Sequence, residues 1–222
     1  SYILVLIGLV ISVWAQISVN STFKKYSKMN TLSGVSGKEA AEIVLRSGGA
    51  TNVPVGAISG ELTDHYDPRS NSISLSTPVY SARTAAAVGV AAHEAGHAVQ
   101  HACGYAPLKV RNAILPVANI ASSIAFPIFL LGLLFNKNYP ILCDIGIFLF
   151  GAAVLFQLIT LPVEFNASRR AREILVSEDI LSGREVVGVT KVLNAAAMTY
   201  VAALATSILQ MIRLLGIVRR NR

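Results

Sequence analysis

Residues 112–135 read NAILPVANIASSIAFPIFLLGLLF, 24 positions without a charged side chain. A bilayer's hydrocarbon core takes about 20 mostly apolar residues per helix, so this stretch is long enough to span one. Working outward, three more windows qualify. Residues 2–19 are charge-free, 141–161 carry only Asp144, and 195–212 are charge-free but rich in alanine and threonine. The whole chain of 222 residues agrees: 53% hydrophobic, 14% charged, mean hydropathy +0.57. These values exclude disorder and a disulfide scaffold, and Cys103 and Cys143 show no framework spacing. The expected fold is mainly α, a polytopic membrane helical bundle of three to four spans, with a small cytoplasmic α+β segment.

The net charge of +7 raises nucleic acid as a partner. With 7% aromatic residues and apolar runs of membrane length, the basic residues instead face lipid headgroups, and no nucleic acid is expected. Residues 2–19 exceed a signal peptide's apolar core and lack a basic start and a small-residue cleavage site, so they are read as a retained anchor. Lys24, Lys25 and Lys28 after the first window, and Lys109 and Arg111 before the second, put residues 20–110 in the cytoplasm under the positive-inside rule. A short turn, Asn136 to Pro140, then lies outside. Residues 162–194, with Arg169, Arg170, Arg172, Arg184 and Lys191, return inside. The fourth window strains the scheme, because crossing puts Arg219, Arg220 and Arg222 outside. Either it spans, or it packs as a fourth helix without crossing; the small-residue stripe Ala195, Thr199, Ala203, Ser207 suits both.

Within 20–110, Ser36 and Glu39 form a capping-box pattern that opens a short helix closed by Gly48 and Gly49. Residues 53–58 and 73–75 are strand candidates joined through the turn chemistry of Asp67-Pro68-Arg69-Ser70-Asn71, which predicts a hairpin or meander. From 81 to 104 the composition is helical and alanine-rich, and it contains His93-Glu94-Ala95-Gly96-His97, the HExxH pattern. On a helix the two histidines stand about 40° apart and about 6 Å along the axis, so both reach one metal. Glu94 lies on the same side, where a general base for zinc-activated water belongs.

Catalytic zinc takes three protein ligands and a water. His101 lies about 12 Å along the axis from His93, too far to share the metal. His65, Asp144, Glu164 and the carboxylates around Glu178 remain. Two crossings return Glu164 to the face that carries His93 and His97, whereas Asp144 sits at the far end of its span. A carboxylate at the end of an apolar helix needs a partner, which is a metal or, alternatively, Arg169 or Arg170.

Together the HExxH helix, Glu164-Phe165-Asn166-Ala167-Ser168-Arg169-Arg170-Ala171 and Thr63-Asp64-His65-Tyr66-Asp67-Pro68 resemble the YugP-type neutral zinc metallopeptidases over nearly the full chain. The chain is also distantly similar to the HtpX and CAAX-prenyl-type membrane proteases. The resemblance implies one zinc per chain on His93, His97 and Glu164, a gluzincin-like set, with Glu94 as base. In those more distant families a glutamate is followed four residues later by aspartate. Here Ser168 stands in that place, so the group that orients a histidine ligand is open. His65, Tyr66 and His101 are candidates for stabilising an oxyanion, and Asn166 and Ser168 for supporting the ligands. The strand at 73–76 is a candidate for pairing with an extended peptide.

The expected function is a hydrolase: a membrane-embedded zinc endopeptidase of the cell membrane, its site facing the cytoplasm, acting on membrane proteins or their exposed segments. A non-catalytic, zinc-stabilised scaffold is the alternative. Glu94 argues against it, because a structural zinc has four closed ligands and no use for a base. A channel would require more polar residues in the spans than Ser122, Ser123 and Gln157.

Overall fold

The computed structural model describes residues 2–135 and 141–221; the turn at Asn136 to Pro140 and the terminal Arg222 lie outside the described residues. Among the described residues, seven helices and one three-stranded sheet follow in the order α1 (Tyr2–Tyr26), α2 (Gly37–Ser47), β1 (Val55–Ile58), β2 (His65–Asp67), β3 (Ser72–Ser76), α3 (Thr77–Ser81), α4 (Ala85–Ala102), α5 (Ala106–Leu134), α6 (Ile141–Ser177) and α7 (Gly183–Asn221). Among the described residues α1, α5, α6 and α7 are long and apolar enough to cross a membrane. The backbone divides into two compact units. One holds residues 1–16, 109–162 and 198–222, and the other 17–108 and 163–197.

In the first unit the four apolar helices leave large side chains exposed, among them Leu6, Trp14, Ile120, Phe126, Phe148 and Leu215. Such a surface suits a lipid environment. Close approaches run through glycine: a Cβ on Gly132 would stand 2.4 Å from the Cys143 nitrogen, and one on Gly146 2.7 Å from the Phe129 Cβ. Thr206 donates to the Gly8 carbonyl at 3.2 Å, and Gln157 donates to Ser207 at 3.0 Å.

The second unit has its own core, built around α4. Thr84 caps α4 by accepting from the Ala87 N–H, and thirteen α4 residues, mostly alanine, valine and glycine, are buried. Alanine combines high helix propensity with small size, so neighbours approach α4 closely on several sides. One neighbour is α2, whose capping box is formed as expected: Glu39 accepts from the Ser36 N–H at 2.8 Å, and Ser36 accepts in return from the Glu39 N–H.

Several sequence expectations are corrected. The hairpin is not between 53–58 and 73–75. β1 instead runs parallel to β3, in register Val55 with Ile73, while β2 pairs antiparallel with β3, His65 opposite Ser74. The turn at 68–71 therefore closes β2 on β3, helped by Asp67 accepting from the Arg69 N–H at 2.9 Å and by Asn71 at φ 49°, a region asparagine tolerates. The sheet order β1-β3-β2 makes β3 the central strand, with both edges taken. It cannot add a peptide. The helical segment expected at 81–104 is α4 alone, preceded by the separate turn α3, whose Pro78 lies in the first turn where a missing N–H is harmless.

The third and fourth apolar windows are parts of longer helices. Pro162 does not end α6, because Val163, Ala167, Ala171 and Leu175, each fully buried at four-residue intervals, carry the helix on through the second unit's core. Similarly α7 begins at Gly183, well before residue 195. Buried Glu185 in its first turn accepts from the backbone N–H of Leu32 at 2.5 Å and of Ser182 at 3.1 Å.

Candidate metal centre

Gly96 positions the site. A Cβ there would stand 2.5 Å from the Ala167 carbonyl oxygen, so only glycine lets α4 lie directly on the α6 backbone. On either side of this crossing, His93 and His97 on α4 meet Glu164 on α6. The Glu164 Oε2 is 3.2 Å from His93 Nε2 and 3.4 Å from His97 Nε2, and the imidazoles stand edge to face with centroids 4.7 Å apart. The three residues form a group able to hold a metal ion, with ligand atoms within 4.8 Å of one another.

These distances test the fit of zinc. Bonds of about 2.0–2.1 Å in a tetrahedron put neighbouring ligand atoms about 3.3–3.4 Å apart. The His–Glu separations fall at that edge length, and the donor set of two imidazoles and one carboxylate is one catalytic zinc uses. The residues fit the ion. Arg169 and Arg170 have partners of their own. Arg169 lies 4.0 Å from Glu173, and Arg170 donates through Nε to the Asn166 Oδ1 at 2.8 Å.

The histidines are held from behind. His93 Nδ1 lies 3.0 Å from the Ser168 Oγ, so the group four residues after Glu164 is the one against a histidine, with a hydroxyl in place of a carboxylate. His97 Nδ1 lies 3.1 Å from the Oε1 of Gln100, which is fully buried. A short chain of bonds fixes this amide's orientation. Arg170 has only donors, so it sets which end of Asn166 is oxygen. That oxygen also accepts from Gln100 Nε2 at 2.9 Å, while the Val163 carbonyl accepts from the same nitrogen at 2.8 Å. Gln100 Oε1 therefore faces His97, Nδ1 carries the proton, and the Nε2 lone pair is left for a metal. Arg170 is itself held over the Tyr105 ring, 5.6 Å from its centroid. Sequence reasoning passed over Gln100 and weighed Arg170 only as an inside charge or a partner of Glu164, not as the group that orients Asn166. The signals were a lone amide one turn after His97 in an apolar helix, and an arginine one turn after Asn166.

Burial works against a charged His97, but the hydrogen bond and charge of Glu164, joined by the Glu94 charge, outweigh it and hold the imidazole above its ordinary value. Glu94 is half-buried, and one carboxylate oxygen accepts from the backbone N–H of Tyr66 at 3.0 Å. The strand β2 thus aims Glu94, and Asp64 fixes β2 by accepting from the Ser76 N–H at 2.8 Å.

Tyr66 comes to the site through its main chain. Its phenol donates to the Asn71 Oδ1 at 2.7 Å and meets His101 Nδ1 at 2.5 Å. Burial, with the Asp67 charge, raises the phenol above its ordinary pKa. His65 is exposed, with Nδ1 on the Thr63 carbonyl at 2.9 Å. Neither His65 nor His101 joins the metal-holding group.

A family model described as "Putative neutral zinc metallopeptidase" matches residues 1–219. The chain belongs to this family. It is 48% identical over 219 residues to the "Putative membrane protease YugP" of Bacillus subtilis (strain 168), covering 99% of this chain and 96% of that protein. No solved structure matches the chain.

Proposed function

We propose that this chain is a membrane-embedded zinc endopeptidase whose site faces the cytoplasm. The observation that carries the reading is the meeting of His93, His97 and Glu164 at tetrahedral edge lengths, with Glu94 held beside them by the Tyr66 N–H. Zinc held there supplies Lewis-acid polarisation of a peptide carbonyl and a lowered pKa for the attacking water. The second Glu94 oxygen, with no hydrogen bond among the described residues, takes up the proton and returns it to the leaving amine. Gln100 keeps His97 in the ligating tautomer while this happens, and Ser168 supports the His93 ring from behind.

Substrates are membrane proteins or their exposed segments. What supports this is α6 itself: Glu164 follows the apolar window 141–161 by three residues, about 5 Å along a continuous helix. The cytoplasmic orientation is supported by Lys24, Lys25 and Lys28 at the end of α1 and by the arginines of α6.

The test is zinc per chain in detergent-purified wild type, Glu164→Ala and Glu94→Gln, with cleavage of an unfolded protein measured alongside. About one zinc in wild type, little in Glu164→Ala, and full zinc without cleavage in Glu94→Gln is the expected pattern. Zinc retained by Glu164→Ala would remove Glu164 as a ligand. Equal behaviour of wild type and Glu94→Gln would favour the zinc-stabilised scaffold.

A further inference from the structure

We propose that the cleft between α6 and α7 beside Ser168 is a specificity pocket for an acidic side chain of the peptide substrate, anchored by Arg172. This rests on the peptidase reading above. The cavity encloses about 250 Å³, walled by Ser168, Arg169 and Arg172 of α6 and by Thr190, Leu193 and Asn194 of α7. Ser168 and Arg172 are one turn apart on one helix face, as are Thr190 and Asn194 on the other; the Thr190 hydroxyl donates to the Val186 carbonyl at 2.7 Å, so Arg172 and Asn194 offer the donors.

Arg172 is half-buried and makes no hydrogen bond or ion pair among the described residues. Its guanidinium is a rigid fork of donors matched to a carboxylate, and a partly desolvated one gains most from an anionic partner. Arg169 is a rim group. Its pairing with Glu173 at 4.0 Å is between two side chains more than half exposed, which leaves it free to turn toward an anion. Buried Leu193 gives the stem of a glutamate an apolar wall, and Asn194 adds a donor at the mouth. Ser168 favours a peptide over a lipid headgroup. The same side chain walls the cleft and holds His93 Nδ1 at 3.0 Å, so an occupant shares a residue with the metal centre.

The experiment incubates zinc-loaded full chain with paired peptide mixtures carrying glutamate or glutamine at each position around the scissile bond, and reads cleavage by mass spectrometry. Wild type should prefer glutamate at one position by about tenfold, or ~1.4 kcal/mol. Arg172→Gln should reduce this to less than about twofold, Arg172→Lys should keep part of it, and Arg172→Glu should turn it toward lysine. Zinc content should stay that of wild type; should Arg172→Glu lose zinc, the Gln and Lys variants carry the comparison. Cleavage without acid preference, or a preference that survives Arg172→Gln, overturns the assignment. A parallel series in phosphatidylcholine vesicles with and without phosphatidylglycerol covers the lipid case. If Arg172→Gln changes only the response to the anionic lipid, the cleft is a headgroup site and the proposal falls. No cleavage at all by zinc-loaded wild type sinks the peptidase reading itself, and the pocket with it.

Discussion

Gln100 reaches the candidate metal centre through His97, whose Nδ1 it holds at 3.1 Å. Its amide is pinned by the Val163 carbonyl and Asn166, so His97 has one tautomer that leaves all of these groups satisfied. Gln100→Leu removes that constraint and takes one donor from the buried Val163 carbonyl and one from Asn166, whose Oδ1 keeps Arg170. Zinc affinity should fall about 10- to 100-fold, the usual effect of losing a partner behind a ligand, as measured by competition with a chelator. Ser168→Ala should cost less, because Ser168 is only half-buried and water can take its place on His93. Wild-type affinity in Gln100→Leu would mean that the ring is held by packing alone. The grouping of His93, His97 and Glu164 was legible in the sequence, the two histidines through helical spacing and Glu164 as one of several candidate carboxylates, singled out by assuming two crossings. The Gln100–Asn166–Arg170 chain was not, since nothing in a single sequence says which polar groups face each other across two helices.

Helices and strands place those residues, and the crossing of α4 on α6 is the most demanding placement. Gly96→Ala gains up to about 1 kcal/mol of helix propensity, but its Cβ would stand 2.5 Å from the Ala167 oxygen, a backbone atom that cannot rotate away. Overpacking of this kind costs about 1–3 kcal/mol, so sterics win. Gly96→Ala should lower thermal stability in detergent and release zinc, and Gly96→Val should do so more strongly, both read by melting curves and metal analysis. At the other side of the core, Ser36 caps α2, and Ser36→Ala should destabilise that helix by about 1 kcal/mol. The same box carries a pH signature. Hydrogen bonds from the Ser36 backbone and hydroxyl hold the Glu39 carboxyl below its ordinary value of 4.5. Its stabilisation is therefore complete above that value and is lost as pH falls through the lower, folded one. Amide exchange in α2, corrected for intrinsic rates, should be unchanged from pH 7 to 5 and accelerate only in stronger acid; acceleration already near pH 6 would contradict this. The capping box and the apolar windows could be read from local pattern. Strand β2 could not, because His65-Tyr66-Asp67 has no alternation to announce it and forms through its pairing with β3. The true length of α6 was hidden by Pro162, whose break is overridden by the buried stripe beginning at Val163.

For the molecule as a whole, α7 decides whether the candidate spans number three or four. At 39 residues this helix is about 58 Å long, roughly twice the thickness of a hydrocarbon core, and it runs unbroken from buried Glu185 to Arg219. Its apolar window matches the other three candidate spans in hydropathy and keeps Tyr200, Ile208, Ile212 and Leu215 exposed. A helix lying in the interface would show one polar and one apolar flank, whereas a crossing helix is apolar around most of its circumference, as α7 is between 195 and 212. In the proposed orientation, crossing puts Arg219 and Arg220 outside, against the positive-inside tendency, while Lys24, Lys25, Lys28 and the α6 arginines, which precede α7 in the chain, follow it. Single cysteines in a background lacking Cys103 and Cys143 test this. One replaces Arg69, whose side chain is 91% exposed in the β2–β3 turn, and one replaces Gly216, where a side chain meets nothing within 4 Å. An impermeant thiol reagent should label the Arg69→Cys chain only in inverted vesicles and the Gly216→Cys chain only in right-side-out vesicles. Labelling of both from the same side would leave three crossings and place α7 on the face that bears the metal centre. Labelling of Arg69→Cys from the outside would reverse the orientation, and the substrates would then be sought among extracytoplasmic segments.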